Sequence, residues 1–186
     1  RQSGITDWPR EIYEALAEGW VKEFLTAIRP FKGVKGLLSE FCAMGIRTGI
    51  ISNGARDFQR LKLETLGLMP YFKDHPLFFS EDFTRGKPNP EIFQAALATS
   101  GLSPEDVLYV GDSPVTDVPG AGKAGFQVIW LNRYGLLPPD GYHNVPQARC
   151  FSEVAEMVLC STSAKCGHRP QTNSPRVVSR GPADGV

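Results

Sequence analysis

Short apolar runs alternate with helical stretches along most of the chain, and that alternation admits few architectures. Ile46-Arg47-Thr48-Gly49-Ile50-Ile51, Leu77-Phe78-Phe79-Ser80, Val107-Leu108-Tyr109-Val110 and Gln127-Val128-Ile129-Trp130-Leu131 read as strands. Val34 to Met44, Ala55 to Leu66, Asn89 to Ser100, Thr116 to Ala124 and Phe151 to Leu159 read as helices before, between and after them. Strands that are apolar almost throughout are expected where both faces are covered. Helical connections between them produce right-handed βαβ units. The expected fold is therefore α/β, a Rossmann-like parallel sheet with helices on both faces.

The ends of the chain read differently. Asp7 to Ile28 is expected to be a helix. Asp7 can cap it, Pro9 suits its first turn, and Ile12, Leu16, Trp20 and Phe24 recur every fourth residue. Arg29-Pro30-Phe31-Lys32-Gly33 interrupts the pattern as a hinge. Residues 1–29 are thus set apart from a core over residues 30–160. From Ser161 the chain is rich in Ser, Thr, Pro and Gly, with Lys165, Arg169, Arg176 and Arg180 against Asp184. Too little apolar surface is available there to offset ordering entropy, so residues 161–186 are expected to be a disordered tail.

Bulk properties exclude several classes. Formal net charge is zero, which favours neither nucleic acid nor an anionic membrane as partner. No apolar run is long enough to cross a bilayer. Cys42, Cys150, Cys160 and Cys166 match no zinc spacing. Cys42, in an apolar helical stretch, is expected to be a small core residue. Scattered unpaired cysteines favour a reducing, cytoplasmic compartment. The first residue is Arg1 rather than Met, which leaves an N-terminal targeting signal open.

Ligands of an open parallel sheet bind beyond the carboxyl ends of its strands, and three polar features fall there. Ser52-Asn53-Gly54 offers a hydroxyl and backbone amides leading into a helix N-terminus, a ready anion site. It would equally serve as an ordinary helix cap. Lys87, in Arg85-Gly86-Lys87-Pro88-Asn89-Pro90, is constrained in direction by its glycine and proline neighbours. An ammonium ~4 Å from a phosphoryl oxygen gains on the order of 4 kcal/mol at an effective dielectric near 20. Gly111-Asp112-Ser113-Pro114-Val115-Thr116-Asp117 follows an apolar strand, and its two carboxylates can converge on one hard cation such as Mg²⁺. Helix capping would account for one of them, not both.

Taken in order, these features resemble the haloacid dehalogenase superfamily of phosphohydrolases over roughly Pro30 to Gly135. Ile50-Ile51-Ser52-Asn53-Gly54 resembles its second motif, in which Ser52 and the amides of Asn53 and Gly54 would hold a phosphoryl group. Gly86-Lys87-Pro88-Asn89-Pro90-Glu91-Ile92-Phe93 resembles the third, in which Lys87 would neutralise charge on the nucleophile and the phosphoryl group. Val110-Gly111-Asp112-Ser113 through Asp117 resembles the fourth, the magnesium motif, with Asp112 binding Mg²⁺ and Asp117 ordering its water shell or Lys87. The resemblance makes residues 1–29 the end of a helical cap.

The family's first motif, an apolar strand followed by Asp-x-Asp-x-Thr, is not found. Ahead of Ser52 the only aspartate is Asp7, followed by Trp8-Pro9. The resemblance places that strand mid-sheet, between those ending at Ile51 and Val110, so either the sequence is a fragment, or those two strands close up, or another chain fills the gap. The fragment is favoured. The intact protein is then expected to hydrolyse a small phosphorylated metabolite, a phosphate monoester, through an aspartyl-phosphate, and the chain alone to be inactive. A binding or regulatory protein that kept the fold is the alternative, and a phosphomutase comes after it. Dehalogenases of the family do not need magnesium, so Gly111-Asp112 argues against that branch.

Overall fold

A computed structural model describes residues 9–165. Helices α1 (Arg10–Ala27) and α2 (Val34–Ala43) precede the first strand, β1 (Ile50–Ser52). Then follow α3 (Arg56–Thr65), β2 (Leu77–Phe79), α4 (Pro90–Ser100), β3 (Leu108–Gly111), α5 (Val118–Lys123), β4 (Gln127–Leu131), β5 (Gln147–Ala148) and α6 (Phe151–Lys165). Every strand pair is parallel.

Strand alternation sorts side chains onto two covered faces. On one face, Ile51 of β1, Phe78 of β2, Tyr109 of β3 and Val128 of β4 pack against Ile92 and Phe93 of α4, Ala121 of α5 and Phe126. On the other, Val110 and Ile129 join Leu37 of α2 and Val154 of α6. The register agrees, with Tyr109 opposite Val128 and Val110 opposite Ile129.

Hydrogen bonding divides the strands into two sheets, β1-β2 and β3-β4-β5. The break falls between β1 and β3, the position the resemblance gave to the unseen strand. One apolar cluster beneath α4 nevertheless touches strands of both sheets. Local capping explains α4 itself. The Asn89 side chain accepts the Glu91 amide, Pro90 opens the first turn, and Gly101 closes the helix at φ 66°.

Several expectations need correction. β1 starts at Ile50 rather than Ile46, because its partner begins at Leu77, in register with Ile50. Ile12, Leu16 and Trp20, which share one side of α1, are exposed. Phe24 and Trp20 instead lean on Phe58 of α3. Cys42 is exposed, not a core residue. The last helix runs to Lys165, past Leu159 and into the stretch expected to be disordered. Asp7 and residues 166–186 lie outside the described residues. No helix among the described residues is long and apolar enough to cross a membrane.

Candidate active site

The loops after β1 and β3 meet the loop carrying Lys87, and Lys87 is the knot. Its Nζ donates to the carbonyl of Ile51 at 3.0 Å, to the hydroxyl of Tyr109 at 3.0 Å and to Oδ1 of Asp117 at 2.7 Å. An ammonium has three protons, and all three are engaged. The Lys87 and Asp117 side chains are 10% and 6% exposed, so this is a buried ion pair with further hydrogen bonds on both partners.

Lys87 reaches this position because Asn53 holds its backbone from both sides. Asn53 Oδ1 accepts the Lys87 amide at 2.8 Å, and Nδ2 donates to the Lys87 carbonyl at 3.0 Å. The approach is close enough that Gly86 must lack a side chain. A Cβ there would lie 2.5 Å from Asn53 Oδ1 and 2.8 Å from Ser80 Cβ. The Ser52-Asn53-Gly54 turn and the Lys87 loop are thus clamped together by the asparagine side chain, a role that its backbone amide alone does not reveal.

The two aspartates of the Gly111–Asp117 turn differ in placement, Asp112 exposed and Asp117 buried. Asp117 turns inward. Oδ1 accepts from Lys87 and from the Tyr109 hydroxyl, and Oδ2 accepts the amides of Asp112 and Ser113 at 3.1 and 3.0 Å. Its carboxylate is therefore the internal tie of the turn and of Lys87. Gly111 permits the tie, since a Cβ there would fall 2.6 Å from Asp117 Cβ and 2.7 Å from Tyr109 Cε1. Asp112 is exposed at the end of β3, and its carbonyl accepts Trp130 Nε1 at 3.1 Å. Its carboxylate still reaches the cluster electrostatically. Burial, then the charge and hydrogen bond of Asp117, then the charge of Asp112, push the Tyr109 phenol above its ordinary range.

Ser52 lies at the same rim with its hydroxyl directed to Gln59 Oε1 at 3.2 Å, while Gln59 Nε2 returns to the Asn53 carbonyl at 3.0 Å. The Gly54 amide donates to Ser80 Oγ at 2.9 Å. Tyr109, Gln59 and Ser80 escaped the sequence reading. Two left a trace in it. Tyr109 puts a hydroxyl on a buried apolar strand, which requires a partner, and Ser80 follows an apolar strand as Ser52 does. Among the described residues no group of three or more His, Cys, Asp or Glu side chains forms a ready metal cage. A surface cavity lies elsewhere, lined by Asn132, Gln147, Arg149 and Glu153.

A family model described as haloacid dehalogenase-like hydrolase matches residues 5–125. The phosphoserine phosphatase of Thermus thermophilus is 38% identical over 106 residues, covering 57% of this chain and 41% of that protein. The haloacetate dehalogenase H-2 of a Moraxella species is 33% identical over 124 residues, covering 66% and 53%. The HAD-hydrolase YfnB of Bacillus subtilis, solved bound to magnesium, superposes with a TM-score of 0.67 at 25% identity, covering 78% of this chain and 62% of that one. The chain spans about half the length of the curated relatives it matches. Since the family model takes in more than half of the sequence and includes the Ser52, Lys87 and Asp112 turns, the chain belongs to the haloacid dehalogenase-like hydrolases.

Proposed function

We propose that this chain forms the phosphate-binding and charge-neutralising part of a magnesium-dependent phosphohydrolase acting on a small phosphate monoester. The observation that carries the reading is the Lys87 ammonium, buried on Asp117 and held at the end of β1 beside Ser52, with the exposed Asp112 carboxylate close enough to shift the same phenol as Asp117. Phosphatases among the relatives support the substrate class.

Asp112 is the residue that fits a metal. It is an exposed oxygen donor, and Mg²⁺ takes few protein carboxylates, filling its shell with water and substrate phosphate. When bound, magnesium would supply charge neutralisation at phosphoryl oxygens. Asp117 would act beneath it, fixing the turn through the amides of Asp112 and Ser113. Ser52 would turn its hydroxyl from Gln59 to a phosphoryl oxygen, and the Gly54 amide would exchange Ser80 for another. Lys87 would neutralise charge from below. A free oxygen donor at Asp112 suits a metal-dependent phosphatase rather than a metal-free dehalogenase.

The aspartyl-phosphate route needs a carboxylate nucleophile that Ser52, Lys87, Asp112 and Asp117 do not provide. In this reading it comes from coding sequence ahead of Arg1. The test is to express the chain with and without that upstream sequence and to follow magnesium-dependent release of p-nitrophenol from its phosphate ester. Activity should appear only in the extended protein and fall about a hundredfold or more in Asp112→Asn. Activity that ignores chelators, or survives Asp112→Asn, refutes the metal assignment. Phosphate binding without turnover in both forms would favour the non-catalytic binding protein.

A further inference from the structure

The geometry points to Tyr109 as a positioning residue for Lys87, its hydroxyl serving as the third fixed point that sets the direction of the ammonium. The Ile51 carbonyl and Asp117 Oδ1 account for two of the three protons, at 3.0 and 2.7 Å. Two points leave the ammonium free to swing, and the third proton goes to Tyr109 at 3.0 Å. The same hydroxyl donates its own hydrogen bond to Asp117 Oδ1 at 3.0 Å. Lysine, tyrosine and aspartate therefore form a closed triangle in which each pair is hydrogen bonded. Such rings hold geometry more tightly than a single ion pair, because the displacement of one member stretches two bonds.

The tyrosine can act as a fixed point because its ring is itself fixed. Phe93 meets it edge-on with centroids 5.5 Å apart, and Phe126 lies 6.4 Å away. Gly111 leaves room for the ring edge, since a Cβ there would sit 2.7 Å from Tyr109 Cε1. The aromatic cluster beneath α4 thus connects to the rim through one oxygen atom. A phenylalanine at this position would keep the cluster and lose only that atom.

This role rests on the reading of Lys87 as the cation that meets a phosphoryl group, but the measurement reads the ammonium directly. Turnover can fail while the ammonium result stands, and the reverse. Nitrogen-detected spectra of the lysine side chains should show Lys87 as a slowly exchanging NH₃⁺ resonance, assigned by its loss in Lys87→Arg. In Tyr109→Phe the proton exchange rate of that resonance should rise about tenfold, as expected for one hydrogen bond to a charged group. The amide spectrum of α4 and α5 should stay in place. A rate within about twofold of the parent, with the fold intact, overturns the assignment. Should Tyr109→Phe not fold, the parent protein decides. A slowly exchanging Tyr109 hydroxyl proton with a cross-peak to the Lys87 ε-methylene supports the triangle, and its absence in spectra that resolve Lys87 refutes it.

Discussion

Asp112 and Asp117 lie in one turn, yet their removal should have very unequal consequences for stability. Asp117→Ala takes away the acceptor of Lys87 Nζ, of the Tyr109 hydroxyl and of two backbone amides. The ammonium it deserts is only 10% exposed. Breaking a buried ion pair from one side costs about 3–5 kcal/mol, and loop amides near the rim can recover water, so ~4 kcal/mol is the expected loss. A domain of this size holds about 5–15 kcal/mol in total. At roughly 2–4 °C per kcal/mol, the midpoint should drop by roughly 8–16 °C. Asp112→Ala removes an exposed carboxylate and should change stability by no more than ~0.5 kcal/mol. Urea unfolding followed by circular dichroism gives both values, provided the slopes agree. Adding Lys87→Met to Asp117→Ala should return about 2 kcal/mol relative to the sum of the single effects, because the deserted charge is then gone. Equal losses for the two aspartates, or a loss below ~1 kcal/mol for Asp117→Ala, would refute the buried-pair account.

Three further outcomes follow from the same geometry. Gly111→Ala should cost about 2 kcal/mol or more by forcing Asp117 and Tyr109 apart, whereas Gly101→Ala, with open space but φ 66°, should cost only about 1 kcal/mol; thermal melts separate the two. Asn53→Ala should loosen the Lys87 loop, costing about 2 kcal/mol and abolishing phosphate release in the extended protein, and an unaltered Lys87 amide resonance would count against the clamp. The Tyr109 phenol is held neutral in the fold by burial and by Asp117, so its contribution to stability is complete below the unfolded tyrosine value of about 10 and declines as pH rises above it. Absorbance at 295 nm should show Tyr109→Phe leaving the native tyrosinate signal unchanged while lowering the denatured signal by about one fifth, there being 5 tyrosines.

What the sequence disclosed was what local chemistry determines. Asn89-Pro90 and Gly101 bracket α4 because caps act within a turn. The runs around Tyr109 and Ile129 announce β3 and β4 because both of their faces are covered. What remained hidden depends on the partner across space. β1 is short because β2 begins late. Gln147–Ala148 is too brief to carry a pattern. The helical period of Ile12, Leu16 and Trp20 says that one face is apolar, not what lies against it. Nothing in two identical side chains tells which aspartate faces inward. Asp117 does because it leads into α5 and turns back under the strand end, leaving Asp112 outside. The role of Tyr109 required knowing where Lys87 arrives, and that is set by the Asn53 clamp.

Ser52, Lys87 and Asp112 should face one phosphate-bound divalent ion. Paramagnetic Mn²⁺, added with inorganic phosphate to ¹⁵N-labelled chain, tests it most directly. The amide resonances of Ser52, Asn53, Lys87, Asp112 and Ser113 should broaden first and together, and Asp112→Asn should remove the effect. Broadening centred on Glu153 or on the exposed stripe of α1, or a pattern unchanged in Asp112→Asn, would contradict it.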